Sequence, residues 1–191
     1  MATKRTTPLT PDEIFAKALE IIDAEGEKAL SMRRLAAELG VEAMSLYHHV
    51  ANKDAVLAGV VNLALATPTL AHPATDKTWQ AIVVSVVLDF RAALVAHPNV
   101  LPLITARPPE HAPAKRVYIG APLQFLLAQG FSEECASQLF EAALAMSFGH
   151  AMLTVNYRPI ENDGLPTVTY TEASFERGLR ALITGYEPVE C

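Results

Sequence analysis

The stretch from Ala43 to Lys53 is the part of the chain best equipped for chemistry, and that chemistry is recognition, not bond making. Ala43-Met44-Ser45-Leu46-Tyr47-His48-His49 reads as a short helix, with Leu46 and the following Val50 as its apolar anchors. A helix that lies in the major groove of DNA needs this profile: short, held by few apolar residues, polar or aromatic on its free face. Tyr47 and His48 can hydrogen-bond phosphates or base edges, and Ala43 and Met44 can touch thymine methyls. Lys53 opens the next helix, where its ammonium and the helix N-terminus can meet one phosphate. His48-His49 could also suggest a metal pair, but adjacent side chains on a helix point about 100° apart and seldom share one ion.

Other chemistries find little support. His72, His97, His111 and His150 are scattered, three of them near prolines, and structural roles are expected for them; His150 is the best outsider for a pocket. Cys135 and Cys191 lie far apart with no metal or redox spacing and are expected to be inert thiols. No Ser/His/Asp spacing, nucleotide loop or paired-carboxylate motif is present, so no enzyme, cofactor or metal site is expected.

The net charge of −6 argues against a general nucleic-acid coat. Residues 1–55 hold seven Lys and Arg against nine Asp and Glu. A DNA reader needs positive groups on one face only. Here these are Arg33, Arg34 and Lys53 against Glu38 and Glu42, with Lys4 and Arg5 in the N-terminal arm. The composition, 51% hydrophobic and 19% charged, is that of a folded globular chain. The start, MATKRTTPLTP, has no apolar signal region, and no run approaches a membrane span; a cytoplasmic protein without a membrane partner is expected.

The elements around Ala43–Lys53 are helices. Thr10-Pro11-Asp12-Glu13 is a capping box ahead of the apolar face Ile14, Phe15, Ala18, Leu19 and Ile22, and Gly26 ends that helix. Ser31 caps a second helix that stops at Gly40. The third runs from about 42 to 49, and Asn52 opens a fourth. A long apolar helix is expected over 76–97 despite its β-branched run, since it contains neither Gly nor Pro. The prolines of 98–113 allow only short turns, after which helices are expected over 114–129, from Ser132 to Tyr157, and over 171–186. The fold is therefore expected to be all-α. An N-terminal three-helix helix-turn-helix domain (1–52, with helix 52–66 connecting) precedes a C-terminal helical bundle (67–191) for ligand binding and dimerisation.

The stretch Leu30–Leu57, LSMRRLAAELGVEAMSLYHHVANKDAVL, resembles the DNA-binding domain of the tetracycline-repressor (TetR) family: a basic pair, Leu-Ala, Leu-Gly-Val, Leu-Tyr-x-His-Val and Asn-Lys. Trp79-Gln80, Phe90–Leu94, Arg107-Pro108 and Gln129–Ser132 extend the resemblance into the ligand-binding half, so that it spans about residues 10–186. It implies DNA contacts at Arg33, Ala43, Met44, Ser45, Tyr47, His48, His49 and Lys53. Ala43 stands where the repressor carries a base-reading glutamine, which implies a different operator. The repressor binds its drug as a Mg²⁺ chelate, whereas an ungapped reading puts Val86, Pro122, Ala145 and Leu153 at most of those positions. Such a site lacks hard ligands for Mg²⁺.

The expected protein is thus a homodimeric repressor of a near-palindromic double-stranded DNA operator, released by a small, hydrophobic, metal-free effector. The effector pocket is expected to draw on Phe90, Leu94, Leu103, Ile104, Arg107, Leu123, Phe148 and Met152. Dimerisation is expected through the helices at 114–129 and 171–186. Two alternatives stay open: a TetR-like repressor without a small-molecule effector, and a helical ligand-binding protein that has lost DNA binding.

Overall fold

The computed structural model describes residues 8–66, 78–106, 116–157 and 169–188. The helices are α1 (Pro11–Glu25), α2 (Met32–Leu39), α3 (Ala43–Tyr47), α4 (Lys53–Ala64), α5 (Trp79–Ala96), α6 (Leu101–Ala106), α7 (Ala121–Ala128), α8 (Glu133–Asn156) and α9 (Glu172–Ile183). The architecture is all-α, as expected.

Side-chain caps set most helix starts. At Thr10 the Glu13 N–H donates to the threonine hydroxyl (3.3 Å) while the Glu13 carboxylate accepts from the Thr10 N–H (3.0 Å), closing the capping box. Ser31, Asn52, Thr78, Ser132 and Thr171 each accept from a backbone N–H in the first turn of the helix that follows. Gly40 ends α2 in the left-handed region, φ 66°, where an L side chain would be strained.

The chain divides into two compact units, residues 1–66 with 99–114 and residues 67–98 with 115–191. This differs from a first domain ending at 52 and a connecting helix at 52–66. In the first unit α4 packs mainly on α1, because Val56, Leu57 and Val60 share the core with Ile14, Ala18 and Ile22, all fully buried. Gly59 lets the two helices approach: a Cβ there would overlap the Phe15 ring. The segment after α5 also belongs to this unit, and the Asn99 side-chain amide donates to the Ile22 and Asp23 carbonyls, each at 3.0 Å.

In the second unit α5 packs chiefly on α8, and α9 lies against both. Among the described residues α5 is the one helix long and apolar enough to cross a membrane. Its buried residues, Val83, Val87, Phe90 and Leu94 among them, make it a core helix instead. The helix expected over 114–129 is realised as a π turn at Arg116–Gly120 followed by α7. Pro122 explains the break, since it has no N–H to give to the carbonyl four residues back. Cys135 is buried and disulfide-bonded, which corrects the expectation of an inert thiol. The sequence holds one other cysteine, Cys191, which lies outside the described residues.

Candidate DNA interface and effector core

The first unit presents α3 on a rigid turn. The Gly40 N–H bonds to the Ala36 and Ala37 carbonyls, and the Val41 N–H donates to Ala36 at 3.0 Å. Leu46 is fully buried and Val50 nearly so, which fixes how the helix is rotated. Met44 (68% exposed), Tyr47 (45%), His48 and His49 then face solvent, with Ala43 and Ser45 half-buried beside them. The first helical turn ends at Tyr47, so His48 and His49 follow the helix instead of closing it.

The basic groups divide between two tasks. Arg34 grips Glu25 in bidentate fashion, at 2.9 and 2.5 Å, and stands 3.9 Å from Glu38. Hydrogen bonding to Arg34 holds the Glu25 carboxyl below its ordinary range. Arg34 thereby ties α1 to α2. Arg33 is exposed and has no ion-pair partner among the described residues. Lys53 is half-buried and its Nζ donates to the Glu27 carbonyl at 3.4 Å, leaving two of the three ammonium donors for another acceptor.

The pocket residues expected from sequence fall in different places. Leu103 and Ile104, on α6, are buried in the first unit. Phe90 and Phe148 meet edge to face in the second unit with ring centroids 5.4 Å apart, and Tyr118 packs on Phe90 at 5.0 Å. Leu94 is buried, Leu123 is half-buried and Met152 is 57% exposed. Arg107 lies outside the described residues. A separate cleft of about 520 Å³ opens between the start of α5 and the end of α9, lined in part by Trp79, Gln80, Arg180 and Tyr186. It includes none of the expected pocket residues.

The sequence reading did not select the most unusual cluster in the second unit. Arg91, on α5, is only 4% exposed. Its Nε donates to His150 Nδ1 at 3.0 Å, one terminal nitrogen donates to the Thr154 hydroxyl at 3.4 Å, and the guanidinium lies 5.3 Å from the Phe175 ring centroid. The available signal was the one basic residue, Arg91, in a largely apolar helix. Burial lowers the His150 pKa, and the positive charge of Arg91 adds to this.

The family model described as "Bacterial regulatory proteins, tetR family" matches residues 14–60, which covers α1 to most of α4. The Escherichia coli tetracycline repressor protein class E is 29% identical, over 93% of this chain and 90% of that protein. The Streptomyces coelicolor TetR family protein ActR, solved in complex with actinorhodin, is 27% identical with a TM-score of 0.77, covering 94% of this chain and 96% of that one. BioQ, solved with its natural double-stranded DNA operator, is 25% identical with a TM-score of 0.68 over 93% and 97% of the two chains. Together these similarities support a TetR-family helix-turn-helix transcriptional regulator of the repressor class.

Proposed function

We propose that the protein is a cytoplasmic, effector-released repressor that binds a near-palindromic operator as a homodimer. The observation that carries this reading is α3: a short helix with its one buried anchor at Leu46 and an unobstructed face of Met44, Tyr47, His48 and His49. Arg33 and Lys53 flank that face and take phosphates, while Ala43 and Met44 contact thymine methyls. Ser45 completes the contact set. ActR and BioQ, solved with a small molecule and with an operator, support both halves of the reading.

Two chains associate through α9 and α8, where Ala145, Gly149, Met152 and Ala181 are exposed in the single chain. α8 takes the place first given to the helix at 114–129, which is too short as α7 to build a bundle. The pairing sets the two recognition helices about one DNA turn apart, roughly 34–36 Å. The effector is metal-free and largely apolar. It binds in the C-terminal unit near Phe90 and Phe148 and favours a state with the wrong separation.

Selection from a random DNA pool tests the reading, with an enriched inverted repeat as the expected result. Enrichment of no sequence would overturn operator binding. Mg²⁺–tetracycline is expected to leave the complex intact, and release at ordinary inducer concentrations would overturn the metal-free site.

A further inference from the structure

The cleft between the start of α5 and the end of α9 has the size and lining of a small-molecule site. Its volume of about 520 Å³ lies within the range of roughly 300–1,000 Å³ usual for such pockets. Buried Val84 and Ile183 supply its apolar lining, and Trp79 and Tyr186 supply aromatic rings. Trp79 is held by Phe131, which it meets edge to face with ring centroids 4.8 Å apart. The Glu187 backbone is held as well: its carbonyl lies 4.0 Å from Sγ of the buried Cys135 at the start of α8. Both sides of the cleft are therefore anchored without a ligand. Two charged residues line it. Arg180 Nε and one terminal nitrogen donate to the same Glu176 oxygen, at 2.9 and 2.6 Å, so the arginine charge is already compensated. The Glu187 side chain is exposed and has no hydrogen bond or ion pair among the described residues. The uncommitted charge of the lining is thus negative, and it shares the cleft with two aromatic rings, whose faces attract cations.

We propose that this cleft is a further small-molecule site and takes an aromatic organic cation, a flat heterocycle with a permanently charged nitrogen. The ring packs against Trp79, Tyr186 and the apolar lining, and the charged nitrogen lies toward Glu187. An aromatic acid is disfavoured, because Glu187 repels it while Arg180 is engaged by Glu176. The site does not depend on the effector reading near Phe90 and Phe148, since neither residue lines the cleft.

Paired probes of nearly equal shape test it: N-methylquinolinium beside quinoline, and N-methylacridinium beside acridine, the second of each pair being uncharged at pH 7.5. Calorimetry on the full-length protein measures affinity. The indole N–H resonance of Trp79, the one tryptophan in the chain, reports where the probe binds. At least one cation is expected to shift that resonance and to bind about five-fold or more tighter than its neutral partner, as cation–π attraction with a nearby carboxylate should give. Glu187→Gln removes the charge at an exposed position. It is expected to weaken the cation several-fold, leave the neutral ring unchanged and so abolish the preference. Neutral rings that bind as tightly as the cations would overturn the cationic assignment, and so would a preference that survives Glu187→Gln. Binding that leaves the Trp79 resonance in place would put the probe elsewhere and overturn the cleft as its site. Binding of neither cation would overturn the proposal too, and is the result to be expected if a second copy of the chain covers the cleft in solution. Each of these failures leaves the effector reading near Phe90 and Phe148 standing.

Discussion

Arg34 holds Glu25 with two hydrogen bonds, whereas Arg33, one position earlier on α2, faces solvent. Adjacent positions on a helix point about 100° apart, so one basic pair serves both the fold and the ligand. Replacing Arg33 with Ala is expected to weaken binding to every DNA sequence alike. It should also flatten the plot of log affinity against log salt by about one unit, with the melting temperature unchanged. Arg34→Ala is expected to do the reverse, lowering the melting temperature by releasing α1 from α2 while the salt slope of the folded protein stays near the wild-type value. Fluorescence anisotropy at several salt concentrations, beside thermal melts, separates the two. Tyr47→Ala should cost affinity at least several-fold, and an unchanged affinity would remove Tyr47 from the interface. The sequence shows the basic pair but not this division of labour. Glu25 lies nine positions away, and only the packing of α1 on α2 brings it to Arg34.

Among the elements, those with caps were legible in advance. Thr10, Ser31, Asn52 and Ser132 announce helices in the sequence and cap them in the structure. The helix expected over 114–129 was less legible, because a π turn depends on how the backbone behind Pro122 finds alternative partners. The α1–α4 contact was not legible either, since Gly59 reads in sequence as a mild helix weakener. In the structure it is where the Phe15 ring fits against the α4 backbone. Gly59→Ala should gain up to about 1 kcal/mol of helix propensity and lose more from overpacking, typically 1–3 kcal/mol. A lower urea midpoint with unchanged m-value is the expected outcome. A raised midpoint would mean that the Phe15 ring moves aside freely.

For the molecule as a whole, the quantity that integrates the buried polar cluster is stability against pH. His150 is neutral in the folded state because burial and the Arg91 charge both oppose its protonation. Its folded pKa therefore lies below the ordinary value of 6.5. In the window between the two values the unfolded chain binds the extra proton, so the neutral-form contribution is complete above about pH 6.5 and is lost as the pH falls toward the folded value. Asp89, on the same helix as Arg91, acts with the opposite sign. Desolvation raises its pKa, so its contribution is complete at low pH and fades as the pH rises through the folded value. His150→Gln keeps an acceptor for Arg91 Nε but cannot titrate, which isolates the histidine from Asp89 and from the exposed His48 and His49. Wild-type stability should fall relative to His150→Gln between pH 7.5 and 5, and urea melts across that range measure the difference. Two parallel curves would place His150 in a solvated site, with an ordinary pKa and no firm bond to Arg91.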